Sequence, residues 1–349
     1  TVDLSTTPAW VTGTIDEAPA GKTHFTDVAI DPYTDFPVAS VNYVEQSVDA
    51  QNSQAGMSVF IIGPQSQQMW LNFSFGKMDG ALDTTIDHDP VSGFFGVSTY
   101  AANENSVGKD PNDMYVRYIN LGDLSNASDN VVKVSSGFGG EMLFPHLRFN
   151  PTAQRTRVMV RGSELFANDV DPASDTSSWV QYNEVANPGP FGSIAYNQAA
   201  SGALFGTTYS KVLGGEHVLF YNSYDGEDDE PVVEVVDSIP IVGQDEWLAA
   251  CSQLAYTWDA KPLIAYTVKD AVGAVTIKLA HKDSDTWVTE TVSSTTSEAG
   301  NSPQDVRVDI SVEPLDYFPD FTRTNRAFVV WNDISGSSGT VRVAYRAIQ

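Results

Sequence analysis

The sequence has little cysteine, little positive charge and no long apolar run. Cys251 is the only cysteine among 349 residues, so no disulfide can form within the chain. Lys and Arg together number 19 against 45 Asp and Glu, which gives a formal net charge of −26. That charge repels phosphate backbones, so a nucleic-acid partner is not expected. No apolar run approaches the ~20 residues of a transmembrane helix, so no membrane span is expected either.

Several functional signatures are also missing. The spacings His-x-x-x-His and Cys-x-x-Cys do not occur, which argues against a zinc site. No stretch combines a helical hydrophobic period with helix caps. The sequence begins at Thr1 without an initiator Met or a signal peptide, as a processed secreted protein would, and an extracellular location is therefore expected.

What the sequence does contain is a succession of short strands with β-branched and aromatic residues, separated by turn clusters. They form six units of roughly 45–60 residues, near the period of β-propeller blades. The predicted fold is therefore all-β: one six-bladed β-propeller domain over 1–349, with four antiparallel strands per blade. The predicted blades cover residues 20–76, 77–137, 138–188, 189–241, 242–295, and 296–349 together with 1–19.

The two ends of the chain predict how the last blade closes. Residues 9–14 (AWVTGT) resemble residues 286–291 (TWVTET), which form a predicted outer strand. Residues 306–347 supply three strands and lack the fourth. The spare strand at 10–15 is therefore predicted to close the last blade.

The inner strands are predicted at 27–31, 84–87, 146–150, 193–197, 253–257 and 305–309. Five of the six end in Asp or Asn, and after four of these (Asp31, Asp87, Asn150 and Asn197) Pro or a polar residue follows. Such side chains cap tight turns and Pro presets φ, so these acids are interpreted as parts of the turns to the second strands.

The first aligned position of each inner strand predicts a polar ring around the axis. Its members are Asp27, Asp83, His146, Ser193, Gln253 and Asp305. Converging carboxylates repel one another unless a cation or shared protons intervene. Oxygen ligands suit Ca²⁺ better than Zn²⁺, so Asp27, Asp83, Asp305 and Gln253 are the candidate metal ligands. The alternative is a polar, water-filled channel.

Candidate catalytic residues lie on or near the same ring. His24 and His146 are predicted on inner strands, and either could act as a general base beside an axial carboxylate such as Asp83. The alternative is that each histidine is a structural residue held by hydrogen bonds.

Candidate ligand-binding residues come from the loops at the predicted start of the inner strands. The segments 45–54 and 102–113 are long loops, which in compact folds tend to carry function. Asp49, Asn103 and Asn105 offer hydrogen bonds to sugar hydroxyls, and Trp247 offers an aromatic surface for stacking. The alternative is that these loops and aromatic residues plug the channel mouth.

Two turns carry a resemblance to a known group of proteins. Residues 281–287 (HKDSDTW) and 172–179 (PASDTSSW) place Asp and Trp in the turn before an outer strand. This resembles the Asp box of the sialidase-like, BNR-repeat propellers, although the glycine of that motif is absent. The resemblance covers repeat architecture, and it implies a propeller fold without implying sialidase chemistry.

These observations predict an extracellular propeller that binds a carbohydrate or small ligand on its loop-rich face near the central channel. One alternative is a Ca²⁺-dependent hydrolase or polysaccharide-degrading enzyme that uses axial carboxylates and histidine. It predicts a deep axial pocket with perturbed carboxylates. A second alternative is a protein-interaction or adhesion module, which predicts an exposed apolar patch. The oligomeric state is open.

Overall fold

The structure, a computed structural model, describes the chain in segments. They are residues 25–31, 36–44, 53–62, 68–77, 84–101, 113–120, 131–133, 146–152, 156–160, 164–168, 180–184, 192–199, 202–226, 229–243, 247–270, 274–295, 308–315, 324–335 and 338–348. This part of the chain is all-β, with 23 strands in six antiparallel sheets. Over these segments no helix is long and apolar enough to cross a membrane.

The first three sheets follow one another along the chain. Sheet one contains β1 (Phe25–Asp31), β2 (Phe36–Val44), β3 (Ser53–Ile62) and β4 (Gln68–Lys77). Sheet two contains β5 (Thr84–His88), β6 (Phe95–Ala101), β7 (Asp113–Ile119) and β8 (Val131–Lys133). Sheet three contains β9 (His146–Phe149), β10 (Thr156–Val160), β11 (Glu164–Asn168) and β12 (Val180–Glu184).

The last three sheets have longer strands. Sheet four contains β13 (Ser193–Tyr196), β14 (Phe205–Leu213), β15 (Glu216–Tyr224) and β16 (Val232–Pro240). Sheet five contains β17 (Trp247–Tyr256), β18 (Pro262–Lys269), β19 (Val275–Asp283) and β20 (Thr286–Thr295). Sheet six contains β21 (Val308–Leu315), β22 (Thr324–Ser335) and β23 (Ser338–Ile348).

Each sheet is a meander in which strands pair in chain order. The first strands of the sheets, which we call the inner strands, are β1, β5, β9, β13, β17 and β21. Consecutive inner strands contact each other from β1 through to β21. The inner strands therefore lie side by side, and each sheet extends away from them.

The strand positions agree with those predicted from the sequence, with two corrections. Trp247, predicted in a loop before the inner strand of sheet five, begins β17 instead, so that strand starts before the predicted residue 253. The predicted inner strand of sheet six ended at Asp309, but β21 continues to Leu315 and pairs with β22 along its whole length. The predicted end of this inner strand is therefore wrong. Asp309 lies within the strand because pairing with β22 continues from Val308 to Leu315.

Apolar side chains fill the spaces between neighbouring sheets. One cluster joins sheet five to sheet six and includes Leu263 and Trp331. Another joins sheets four and five and includes Leu219 and Tyr266. A third joins Met159 of sheet three to sheet four. Burial of these apolar faces stabilises the stacking of sheets three to six.

The predicted closing strand at 10–15 lies outside the described residues. Within them, sheet six has three strands, as the sequence predicted for the C-terminal segment.

Candidate functional site

A cavity of about 500 Å³ lies where the inner strands end and turn outwards. Such a volume is within the range of small-ligand sites in proteins. Its lining comes from five of the six sheets: Asp87, His88, Pro90, Arg148, Phe149, Pro151, Ala195, Tyr196, Gln198, Ala199, Leu254, Ala255, Tyr256, Thr257, Trp258, Ile310, Ser311 and Val312. The cavity is therefore shared between sheets two to six.

Side-chain capped turns hold the rim of the cavity. Asn150 accepts hydrogen bonds from the backbone N–H and the hydroxyl of Thr152, at 2.8 and 2.9 Å. Asn197 accepts one from the backbone N–H of Ala199 at 2.9 Å. These contacts confirm the interpretation of the strand-end Asn residues as turn caps.

Sheet two corrects that interpretation at one residue. Its turn is capped by Asp89, which is buried and accepts hydrogen bonds from the Val91 N–H and the Ser92 hydroxyl. Asp87 instead accepts a hydrogen bond of 2.9 Å from the backbone N–H of Phe149 on the neighbouring inner strand. Asp87, which the sequence assigned to this turn, therefore joins two sheets and lines the cavity.

Aromatic side chains form much of the cavity wall. Tyr256 is fixed by a hydrogen bond of 2.8 Å between its hydroxyl and that of Tyr221. Burial, reinforced by Tyr221, raises the pKa of Tyr256 well above its ordinary value, so the phenol is neutral. Tyr196 packs against Phe205, with ring centroids 5.4 Å apart. Trp258 is 45% exposed, so it presents an open aromatic surface at the rim.

Two glycines make room for two of these aromatic residues. A Cβ added to Gly206 on β14 would lie 2.5 Å from the Tyr256 hydroxyl oxygen and 2.7 Å from a ring carbon of Tyr221. A Cβ on Gly96 of β6 would lie 2.6 Å from the Phe149 ring. Real Cβ atoms do not approach other heavy atoms so closely, so both aromatic positions depend on a glycine in the preceding sheet.

A group of charged side chains lies beside the aromatic wall. The Arg148 guanidinium is 3.7 Å from the Asp27 carboxylate and donates a hydrogen bond of 2.7 Å to the Leu147 carbonyl. Burial alone would lower the pKa of Arg148, but Asp27, Asp87 and Asp309 outweigh it and raise that pKa. Arg148 is therefore a permanent cation with three acidic neighbours from three different sheets.

The same surroundings act on the acids. Burial raises the pKa of Asp87 to about 6, against the opposing effects of Arg148 and of hydrogen bonds from the Phe149 and His88 backbone N–H groups. Asp309 reaches solvent but has protein around it, and this desolvation together with Asp27 raises its pKa. Asp87 can therefore hold a proton near neutral pH, which is a common feature of functional carboxyls.

His146 has a clear structural contact. Its ring is buried, and Nδ1 accepts a hydrogen bond of 2.9 Å from the backbone N–H of Ile194 on the next inner strand. Burial and Arg148 lower the pKa of His146 well below its ordinary value, so the ring is neutral. Since the Nδ1 lone pair is engaged, Nε2 carries the proton. Catalysis by His146 stays a prediction, and it requires that hydrogen bond to break.

The predicted polar ring is only partly within the described residues. Asp83, Asp305 and the candidate catalytic His24 lie outside them. Asp27 is present, but its carboxylate faces Arg148 and accepts a hydrogen bond of 3.2 Å from the Ile86 N–H. In the described segments no group of three or more His, Cys, Asp or Glu side chains is placed to hold a metal ion. Gln253 is half-buried on β17.

Two further side chains of the inner strands, Thr85 and Asp309, were not assigned to the ring from the sequence. Thr85 accepts a hydrogen bond of 3.1 Å from the Leu147 N–H, as Asp27 and His146 do from their own neighbours. Asp309 approaches Asp27 and Arg148 from β21. The sequence did contain one sign of a charged group at the inner strands: Arg148 stands between the apolar Leu147 and Phe149 in a predicted inner strand.

Of the predicted ligand-binding residues, Trp247 lies within the described residues. Asp49, Asn103 and Asn105 lie outside the described residues. Trp247 begins β17 and is half-buried against the apolar cluster between sheets five and six. Tyr256, which lines the cavity, ends the same strand. The cavity therefore lies at the opposite end of the inner strands from Trp247.

Comparison with known proteins gives weak likenesses only. No family model matches the chain, and no curated protein matches it. Similar solved structures include a fucose-specific lectin from Aleuria aurantia, with 9% identity over 92% of this chain and 94% of that one, and a TM-score of 0.42. A GH62 hydrolase in complex with xylotriose has 8% identity over 77% and 89% of the two chains, with a TM-score of 0.40.

A third similar structure belongs to a study of two prolyl endopeptidases. Its identity is 12% and its TM-score 0.41, and the match covers 87% of this chain but 39% of that one. At these identities and scores, none of the three proteins assigns a function to this chain.

Proposed function

We propose that the protein is a closed six-bladed β-propeller that binds a carbohydrate in the cavity at the ends of its inner strands. The six sheets are the blades, and residues 10–15 complete sheet six beside β23. Two observations support closure. Consecutive inner strands are in contact from β1 to β21. Asp27 of β1 and Asp309 of β21 also act on the same Arg148.

Deletion of residues 1–18 tests the closure. It removes the closing strand and leaves the edge of β23 unpaired, so we expect the free energy of unfolding to fall by several kcal/mol, roughly 3 or more. Thermal and urea unfolding measure it. An unchanged melting temperature would mean that the N-terminal residues do not close sheet six.

The residues that line the cavity are the main support for a carbohydrate ligand. Sugar rings present apolar C–H faces and a periphery of hydroxyls. Tyr196, Tyr256 and Trp258 offer aromatic faces. The Asp87 carboxylate offers hydrogen-bond acceptors, and the Arg148 guanidinium offers donors. Such a mixture of aromatic surface with a few fixed polar groups suits a sugar of two or three units better than a purely apolar ligand.

A glycan panel with a matched pair of variants tests the proposal. Trp258→Ala removes the exposed aromatic surface at the rim, and we expect at least a tenfold loss of affinity, about 1.4 kcal/mol, for glycans that bind the wild type. Tyr345→Ala is the control because Tyr345 is 69% exposed on β23 and does not line the cavity. Calorimetry measures both. Equal affinity of the wild type and Trp258→Ala would place the sugar elsewhere.

Hydrolysis is a second candidate function, and one observation favours it. The pKa of Asp87, raised to about 6 by burial, suits a general acid that protonates a glycosidic oxygen. Asp87→Asn should then abolish turnover while glycan binding persists. Binding without turnover by the wild type would leave the lectin-like function.

Calcium in the axial ring stays part of the hydrolase proposal. If Ca²⁺ binds there, it stabilises the folded chain, and EDTA should lower the melting temperature. Equal melting with EDTA and with added Ca²⁺ would count against the ion.

An interaction module is the remaining alternative, and sheet four bears on it. Val232, Val233 and Val235 of β16 are exposed, as are Val212 and Leu213 at the end of β14. An exposed apolar strand at a sheet edge can pair with another chain. Light scattering of the wild type and of Val233→Lys tests self-association: a dimer that the substitution disperses would support this alternative.

A further inference from the structure

We propose that the cavity binds uncharged sugars and rejects sugars that carry a carboxylate or a sulfate. This inference rests on the proposed function, since it names the ligand class of the same cavity. It is drawn from the arrangement of charge around Arg148.

The first step concerns the cation of the cavity. Among the described lining residues, Arg148 is the one side chain with a permanent positive charge. An anionic sugar would have to bind this guanidinium, as carboxylates and sulfates bind arginine elsewhere. Arg148 is already engaged, because it contacts Asp27 at 3.7 Å and donates to the Leu147 carbonyl at 2.7 Å.

The second step concerns the balance of charge. Arg148 is surrounded by Asp27, Asp87 and Asp309, each from a different inner strand. Three carboxylates against one guanidinium leave an excess of negative charge when all are ionised. Asp87 itself lines the cavity, where a bound ligand would meet it. An anionic group would therefore meet a carboxylate, together with a guanidinium whose charge is already offset by acids, in a partly desolvated space where like charges repel more strongly than in water.

The third step concerns what remains for recognition. Tyr256 and Trp258 present aromatic surface, and Gln198, Thr257 and Ser311 are neutral polar side chains of the lining. The phenol of Tyr256 is bonded to Tyr221 and stays neutral. These groups can contact C–H faces and hydroxyls without a charge on the ligand. A neutral sugar can therefore make the same contacts with them as an anionic sugar.

The test compares ligands that differ only in charge at C6. Mannotriose and cellotriose are each compared with the trisaccharide in which C6 is oxidised to a carboxylate, and with the methyl ester of that acid. We expect the neutral sugar and the ester to bind with similar affinity and the acid at least tenfold more weakly. Raising the salt concentration should narrow the difference, because it screens the repulsion.

A pair of variants assigns the effect to the cavity. Asp87→Asn removes a lining carboxylate, so the difference between ester and acid should shrink severalfold. Asp285→Asn removes an exposed acid in the turn between β19 and β20, outside the lining, and should leave the difference unchanged.

Three outcomes are distinct. Weaker binding of the acid than of its ester, with a difference that becomes smaller in Asp87→Asn, supports the inference. An acid that binds as tightly as its ester overturns it and leaves carbohydrate binding intact. Absence of binding by all the trisaccharides and by the wider glycan panel overturns the proposed function and this inference with it.

Discussion

The junction between sheets two and three differs in kind from the junction between sheets five and six. In the first, side chains of β5 accept hydrogen bonds from the backbone of β9: Thr85 from Leu147 and Asp87 from Phe149. In the second, β17 and β21 meet through an apolar cluster that includes Leu263, and the Cys251 thiol makes a long contact of 3.6 Å with the Val308 carbonyl. Equivalent positions of one repeated architecture are thus held by different forces.

The two junctions therefore contribute differently: the apolar junction stabilises the fold, and the polar junction places titratable groups at the cavity. Apolar burial is worth about 25 cal/mol per Å² and needs no particular partner, so the junction of sheets five and six can stabilise the fold without polar groups. The polar junction brings buried, titratable groups to the cavity, and each must keep its hydrogen bonds to avoid a desolvation cost. The cavity acquires Asp87 and Arg148 because they lie at polar junctions.

The largest expected effect comes from the apolar junction. Leu263→Ala removes a fully buried side chain and leaves a cavity, so we expect the free energy of unfolding to fall by about 3 kcal/mol. Urea unfolding measures it, and Leu263→Ile, which keeps the volume, should lose less than about 1.5 kcal/mol. A small loss in the alanine variant would mean that this junction contributes little to stability.

The next effect lies at the junction of sheets four and five. Gly206→Ala places a methyl group against Tyr256 and Tyr221, and we expect a loss of about 2 kcal/mol together with weaker glycan binding. Tyr256→Phe in the same chain removes the hydroxyl oxygen that lies nearest the new methyl group. Stability should then partly recover. No recovery would show that the clash with Tyr221 dominates.

Substitution of Asp87 should increase stability, whereas the preceding substitutions decrease it, and the increase should depend on pH. The pKa of Asp87 in the folded protein, about 6, exceeds the ordinary value of 3.8, so the folded state holds the proton more tightly than the unfolded chain does. The resulting stability is full below pH 3.8 and is lost as the pH rises through about 6. Asp87→Asn avoids that loss, so it should gain about 1–2 kcal/mol relative to the wild type between pH 5 and pH 8.

The comparison with Asp285→Asn controls for the change in overall charge, because Asp285 is exposed. Chemical denaturation at both pH values gives the difference. A constant difference between Asp87→Asn and the wild type at pH 5 and 8 would show that Asp87 ionises without cost.

The smallest effect tests the hydroxyl of Thr85 at the polar junction. Thr85→Val keeps the side-chain shape but leaves the Leu147 N–H without its acceptor and removes the hydroxyl contact of 2.7 Å with Ser98, and we expect a loss of about 1 kcal/mol. Thr85→Ser keeps the hydroxyl and should lose less. An equal loss in both variants would assign the effect to packing.

Local sequence patterns predicted the strands well. Residues 193–197 were predicted as an inner strand, and β13 covers Ser193–Tyr196. Asn150, followed by Pro151 and Thr152, was predicted as the start of a turn, and the side-chain Oδ1 of Asn150 caps that turn. Periodicity and turn chemistry act over a few residues, so they can be recognised without knowledge of the rest of the fold.

The role of Asp87 was not predicted from the sequence, because its contacts are with residues far away along the chain. Asp87 lies near the end of β5 and Asp89 follows it, and no local rule tells which one caps the turn. The choice is made by the Phe149 N–H, 62 residues away along the chain, which approaches Asp87 only when β5 and β9 lie side by side. The end of β21 was missed for a related reason, since pairing with β22 continues the strand to Leu315.

The sequence by itself determined the all-β character, the six successive groups of strands and the strong negative charge, because these follow from composition and short-range pattern. Only the tertiary structure decided where chemistry could occur. Arg148, Asp27, Asp87 and Asp309 are far apart in the chain, and the position of each charge relative to the others depends on how the sheets pack. Coulomb interactions and desolvation depend on distance in space, so residue order could not reveal them.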